Sequence, residues 1–277
     1  MLKEVVREYW DHQPCGTQFT TLPWGTPEFF AEVERFRYSV QPFMHRFIQF
    51  HRYRGRRILE IGCGLGTDLL QFARQGALVT GVDLSPQSLQ LAQQRFELEG
   101  LPGTFVVADA ENLPFPAASF DVVYSFGVLH HTPHIEQAIA EIHRVLVPGG
   151  ELILMLYHRH SMHVWLGTPL YIGQQLRRQG GYKGIRLAWH ILQELLRRYQ
   201  WWAAEWVRVY DGSENPLGKA FSRKEVRILL RDFHGIRFRL CDPIRRRFPP
   251  WINWLNQRFT APLAGFYLLV WARKPLH

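Results

Sequence analysis

A short apolar strand that breaks into three glycines and then a helix constrains this chain more than any other feature: Arg57-Ile-Leu-Glu-Ile-Gly-Cys-Gly-Leu-Gly-Thr-Asp68. Glycine at 62, 64 and 66 strips side chains from the loop's inner edge, so backbone can approach a ligand and take positive φ. The helix expected from Thr67 aims its free N–H groups at the same place. A second apolar run, Leu78-Val-Thr-Gly-Val82, ends in Asp83, from which a carboxylate can accept hydrogen bonds from ribose hydroxyls. The loop alone suits a tight turn; loop and acid together describe a nucleotide-type pocket. The glycines are spaced Gly62-x-Gly64-x-Gly66 and not G-x-G-x-x-G, with Thr67 at the third dinucleotide position, so NAD is a poor fit.

With Glu60 in front, the segment Glu60-x-Gly62-x-Gly64-x-Gly66 resembles motif I of class I S-adenosylmethionine-dependent methyltransferases, of the type 11-like kind. The resemblance runs from about Arg56 to Tyr157. Thr104-Phe-Val-Val-Ala108 followed by Asp109, Phe120-Asp-Val-Val-Tyr-Ser125 followed by Phe126-Gly-Val-Leu-His-His131, a helical Ala138 to Val145, and Pro148-Gly-Gly150 before Glu151 to Tyr157 keep the family's order. It implies an α/β fold, a doubly wound, mostly parallel seven-stranded sheet with a helical cap insertion, closed by an antiparallel hairpin at the sheet edge. It also implies S-adenosyl-L-methionine as cofactor and S-adenosyl-L-homocysteine as product. Glu60, Gly62, Gly64, Gly66, Asp83, Leu84, Asp109, Ala110 and Phe126 would hold the cofactor, Asp109 beside the adenine amino group.

Residue patterns agree with that fold. Apolar runs of about five residues alternate with helical stretches such as Pro86 to Glu99, the βαβ pattern of a parallel sheet covered on both faces. The ligand crevice then lies at the carboxyl ends of the strands, where the glycine loop, Asp83, Asp109 and Ser125 to Gly127 converge. Asp83 and Asp109 also suit a helix cap or a turn.

At 277 residues the chain fits one core domain with a sizeable appendage. We divide it into an N-terminal helical lid (1–50), a cofactor-binding core (51–157), an aromatic-rich helical cap (158–218) and a C-terminal part of the core with a basic aromatic loop (219–277). The longest apolar run, Ala261 to Trp271, is too short to span a membrane, and the charged N-terminal residues lack the apolar centre of a signal peptide. The expected location is the cytoplasm. Three scattered cysteines argue against a disulfide framework or a zinc site. No metal is expected, since the carboxylates of catechol-type metal sites are missing near His158, His160 and His163.

Charge is divided unevenly. Residues 1–150 carry 12 Lys and Arg against 16 Asp and Glu, whereas 151–277 carry 21 against 8 and eight of the ten tryptophans. Such a half suits an anionic membrane surface, a lipophilic acceptor or, less well, nucleic acid. Ile185 to Val209 has apolar residues at helical spacing, which suits burial against the core or a membrane-surface helix. Asp211 to Gly218 reads as a loop, Ser222 with Glu225 as a capping box, and Ile236 to Cys241 and Gly265 to Ala272 as the last strands. Arg245-Arg-Arg247 with Trp251 and Trp254 interrupts them.

In the N-terminal part, Tyr9 to Thr17 reads as polar and turn-rich and Phe29 to Phe50 as helical. Family members fold such a segment over the cofactor, which makes Tyr9, Arg37 and Tyr38 candidate substrate contacts, with an ordinary surface role as the competing reading.

A sulfonium methyl is already activated, so alignment and exclusion of water are the main tasks. An alcohol, phenol or carbon acid also needs a base. His131 is best placed, His130 second, against a structural role in the loop; His158 could face the acceptor. Ser125-Phe-Gly-Val128 differs from the Asn/Asp-Pro-Pro-Tyr set of base and glutamine N-methylation. The main expectation is a small, lipophilic acceptor methylated on oxygen or carbon. An RNA or protein methyltransferase, and a non-catalytic cofactor-binding protein, remain as alternatives, and the oligomeric state is left open.

Overall fold

A computed structural model describes residues 2–165, 199–211, 215–243 and 249–276. Along the chain come α1 (Leu2–His12), α2 (Pro27–Val40), α3 (Phe43–Ile48), β1 (Arg57–Ile61), α4 (Thr67–Arg74), β2 (Leu78–Asp83), α5 (Pro86–Glu99), β3 (Thr104–Val107), β4 (Phe120–Phe126), α6 (Ile135–Val145) and β5 (Leu146–His158). Then follow α7 (Tyr199–Asp211), β6 (Ala220–Phe221), α8 (Arg223–Leu229), β7 (His234–Cys241), α9 (Pro250–Leu255), α10 (Ala261–Ala264) and β8 (Tyr267–Arg273).

The sheet runs β3-β2-β1-β4-β5-β8-β7, and the two-residue β6 pairs beside the end of β5. β1 to β5 are parallel, β8 is antiparallel to both β5 and β7, and β7 forms the edge. This is the doubly wound sheet expected, with β6 as an eighth strand. Strand alternation sorts β5 between two cores: Ile153, Met155 and Tyr157 join Phe72 of α4 on one face, and Leu152, Leu154 and Leu156 join Ile139 and Ile142 of α6 on the other.

Several boundaries differ from the sequence reading. β5 begins at Leu146, because β4 pairs with it from Phe120 onward, across the Pro148-Gly-Gly150 turn. The helical stretch from Phe29 is two helices, since Pro42 cannot continue the first. Residues 2–12, which include Tyr9 and Trp10, form a helix and not a turn-rich coil. Its Val6 is buried, and Asp11 accepts from Ser85 Oγ (2.8 Å) and Gln87 N (3.1 Å), which docks α1 on the first turn of α5. The capping box at Ser222 and Glu225 forms, but α8 stops at Leu229. Of the aromatic stretch Ile185 to Val209, the residues before Tyr199 lie outside the described residues, as do Arg245, Arg246 and Arg247.

Helix α2 is pinned from below. Arg95 of α5, 1% exposed, donates to Glu34 Oε2 (2.5 Å) and Thr67 Oγ1 (2.7 Å), and Arg74 of α4 also pairs with Glu34 (2.7 Å). A buried cation left unpaired costs several kcal/mol, so α2 is held where Arg37 and Tyr38 face the start of α4.

Candidate functional site

β1 ends at the glycine loop, whose Gly62 and Cys63 N–H groups donate to the Val82 carbonyl (2.7 and 3.0 Å) and so tie it to β2. Gly62 has φ 71°, and a Cβ there would stand 2.3 Å from the Val128 side chain, so both conformation and contact require glycine. A Cβ on Gly64 would meet nothing within 4 Å, which leaves an open cradle along the loop. Asp83 accepts from Gly64 N (2.9 Å) and Ser85 N (3.0 Å), and burial raises its carboxyl despite these bonds. A carboxylate offers about four lone-pair sites, so capacity remains for a hydroxyl donor. Leu84 beside it is half-buried.

Glu60 is buried, and its Oε2 finds no partner among the described residues. Burial first, then the nearby Asp68 and Asp83, push it well above the usual carboxylate range against the pull of Arg37. A cation bound beside it would favour its charged form. Asp109 is engaged twice: Oδ1 accepts from Glu111 N (2.9 Å), and Oδ2 pairs with Lys3 Nζ (2.5 Å), which also reaches Glu111 (2.5 Å). The first turn of α1 thus closes over that acid. Ala110 and Phe126 are buried, and the Arg37 guanidinium lies 4.7 Å from the Phe126 ring centroid.

Arg37 and Tyr38 meet at Asp68, a residue singled out by no sequence signal beyond its place after the loop. Arg37 forks onto both Asp68 oxygens, and Tyr38 and Tyr124 each donate a hydroxyl to it at 2.9 Å. Burial, outweighed by Asp68, leaves the guanidinium held well above its ordinary range. The loop, α2 and β4 are thereby joined through one carboxylate.

At the far side of the crevice the turn after β4 brings His130 and His131 to Asp211, the last residue of α7. Nε2 of His130 lies 3.3 Å and Nε2 of His131 3.1 Å from the same oxygen, Oδ2. The other oxygen accepts the Tyr157 hydroxyl (2.5 Å). Nδ1 of His131 donates to the Leu217 carbonyl, the nearer of two contacts, with Asn215 Nδ2 at 3.3 Å. Lys219 Nζ bonds the Thr132 and Pro133 carbonyls (2.9 and 2.7 Å), holding that loop in place. Burial lowers His130 to about 4, with help from His131. Burial would raise Asp211, but the two imidazoles outweigh it and carry the acid to about 2. Tyr157 is pushed well above its ordinary range by burial and by Asp211, which keeps its hydroxyl a donor.

Tyr9 reaches the Asp211 carbonyl at 3.5 Å, and the Trp10 ring lies 5.5 Å from that of His131, so α1 roofs this cluster as well. Cys15 is exposed, and Arg37, Asp211, Asp83 and Asp68 from both halves of the site are the charges nearest it. His158 does not join them. It follows the strand parity of Leu154 and Leu156, bonds the Gly265 carbonyl (3.2 Å) and is lowered to about 4 by burial. Its neighbour Tyr157 takes the inward position.

Residues 59–154 match the methyltransferase-domain family. Over 100 residues the chain is 48% identical to phthiotriol/phenolphthiotriol dimycocerosates methyltransferase of Mycobacterium leprae, which covers 35% of this chain and 36% of that one. It is 37% identical over 98 residues to a sterol 4-C-methyltransferase of Caenorhabditis elegans, covering 35% of this chain and 29% of that one. With cycloartenol-C-24-methyltransferase of Arabidopsis thaliana it shares 33% identity over 153 residues, 53% of this chain and 45% of that one. The chain thus spans less than half the length of the curated relatives it matches. Magnesium protoporphyrin IX methyltransferase from Synechocystis, solved with bound S-adenosylhomocysteine, superposes with a TM-score of 0.57 at 16% identity, covering 98% of this chain and 99% of that one. A [4+2]-cyclase, SpnF, superposes at 0.52 and 19% identity over 100% of this chain and 93% of its own. These superpositions show a shared fold.

Proposed function

Since residues 59–154 belong to the methyltransferase domain of the S-adenosylmethionine-dependent class I family, we propose that the chain methylates a small lipophilic acceptor on oxygen or carbon. The observation that carries the acceptor class is the aromatic enclosure at the crevice mouth. Tyr157 stacks on Phe266 (4.4 Å) and meets His130 (4.5 Å) and Tyr210 (5.8 Å), while Trp10 covers His131. Such walls gain free energy from apolar surface and offer few donors to a nucleic acid or peptide. Relatives named for phthiotriol and for sterols agree with this class.

The residues present fit S-adenosylmethionine. Glu60, with its unpartnered oxygen, and Asp83 offer carboxyl acceptors to the cofactor, a sulfonium beside Glu60 would favour its charged form, and the open cradle at Gly64 admits close approach of the loop backbone. Bound there, the cofactor supplies an electrophilic methyl group. The chain aligns the acceptor and excludes water by closing α1 and α2 over the crevice. Leu84, Asp109, Ala110 and Phe126 complete the cofactor wall, and Tyr9, Arg37 and Tyr38 line the lid side. His130 and His131 act at the acceptor as one cluster with Asp211, since both nitrogens of His131 face protein groups in this arrangement.

No helix of the described residues is long and apolar enough to cross a membrane. Trp251, Trp254 and Leu263 are 63%, 61% and 79% exposed, on the excursion between β7 and β8. We place this face against an anionic membrane from the cytoplasmic side, where it could collect lipid acceptors. The test is transfer of labelled methyl groups to sterols, phenolic lipids and long-chain diols presented in anionic vesicles. Label in the organic phase supports the reading; label in RNA or protein, or none while S-adenosylhomocysteine binds, sinks it.

A further inference from the structure

Hydrogen bonding accounts for only part of the His130, His131 and Asp211 cluster: His130 Nε2 bonds Asp211 Oδ2, while His131 Nε2 and His130 Nδ1 are left over. One nitrogen from each imidazole and a carboxylate oxygen all lie within 4.8 Å of one another. Both Nε2 atoms converge on one oxygen, Oδ2, at 3.3 and 3.1 Å. His131 Nδ1 carries the hydrogen donated to Leu217, which leaves Nε2 a lone pair facing a carboxylate oxygen. That nitrogen makes no hydrogen bond despite the short separation, and the buried Nδ1 of His130 has no partner among the described residues. Two lone pairs opposed at this distance call for a cation between them, either a second proton on the ring or a metal ion.

We propose that His130, His131 and Asp211 bind a divalent transition-metal ion at the mouth of the crevice. Ligand bonds of about 2.0–2.2 Å in tetrahedral array place neighbouring donor atoms about 3.3 Å apart, close to both nitrogen–oxygen separations here. The surrounding contacts are those a metal site requires. The Leu217 carbonyl orients His131 through Nδ1, and the Tyr157 hydroxyl holds the second oxygen of Asp211. Two imidazoles and one carboxylate suit zinc, iron(II) or cobalt(II) and not magnesium or calcium, which prefer all-oxygen sites. Three protein ligands leave a fourth position open, as catalytic sites do. Resting on the transfer reading above, the open position would take a hydroxyl or enol oxygen of the acceptor, whose proton the ion makes easier to release to water.

No carboxylate stands beside the histidine pair in the sequence. The third ligand lies 80 residues beyond the histidine pair, at the end of α7.

Cobalt(II) titration of the chelator-treated full chain tests this. One ion per chain with visible ligand-field absorption is expected, lost in His130→Gln and in Asp211→Asn while calorimetric affinity for S-adenosylhomocysteine is retained. Tyr157→Phe keeps all three ligands and should weaken cobalt binding roughly 10- to 100-fold. No uptake by the wild type, or uptake indifferent to these variants, overturns the site. Should the ligand variants also lose S-adenosylhomocysteine, Tyr157→Phe decides: an unchanged cobalt affinity refutes the assignment. Cobalt bound as described without methyl transfer to any lipid would leave the site standing and remove the acceptor reading.

Discussion

Acidification should destabilise this protein through histidines buried in the neutral form, and His158 isolates the effect. Its ring bonds the Gly265 carbonyl, and burial lowers it from 6.5 to about 4. An unfolded chain therefore binds more protons than the folded one between about pH 6.5 and 4. Stability is complete above 6.5 and is lost as pH falls toward 4. At pH 5 the linkage relation gives a loss of about 2 kcal/mol from this one ring. Asp211 stays out of this window, because a carboxyl lowered to about 2 contributes above the unfolded value of about 3.9 and fails only below it. His158→Gln keeps a donor for Gly265 and removes the titration. Thermal unfolding at pH 7.5 and pH 5 should show the midpoint of wild type falling about 4–8 °C further than that of the variant. Equal falls in the two proteins would mean that His158 is not held neutral, and the linkage argument fails.

Asp83→Ala should weaken S-adenosylhomocysteine binding roughly 10- to 150-fold, since charge-assisted bonds to hydroxyls contribute about 1.5–3 kcal/mol; calorimetry giving equal affinities removes Asp83 from the site. His131→Ala should lower turnover on the order of 10²-fold with cofactor affinity nearly intact, because its cluster acts on the acceptor. Turnover within threefold of wild type would make the residue structural. Replacing Trp251 and Trp254 together by alanine should reduce sedimentation with anionic vesicles at low salt, and vesicle binding that is absent in wild type refutes the membrane face.

The fold was legible because its signals are local. Glycines at 62, 64 and 66, apolar runs of strand length and the Ser222 box each act within a few residues, and each formed where its pattern lay. Helix α1 was missed because Tyr9, Trp10 and His12 lie beside Pro14 and Gly16, so the turn residues that follow masked an amphipathic face that needs α5 to bury it.

The acceptor side was far less legible, and the reason lies in β5. A strand buried on both faces reads as a continuous apolar run, so Glu151-Leu-Ile-Leu-Met-Leu-Tyr157 shows no alternation from which to judge direction. His158 drew notice for its chemistry, yet a one-residue step in a strand reverses the face. The inward position belongs to Tyr157, in register with Tyr267 on β8, and it is this hydroxyl that meets Asp211. Asp211 itself stood in the sequence as the first residue of a loop. Only tertiary closure, with Lys219 tying that loop to Thr132 and Pro133, carries a carboxylate 80 residues downstream to the histidine pair. A periodicity argument has no term for such closure, so a site built by two distant segments stays hidden until both are placed.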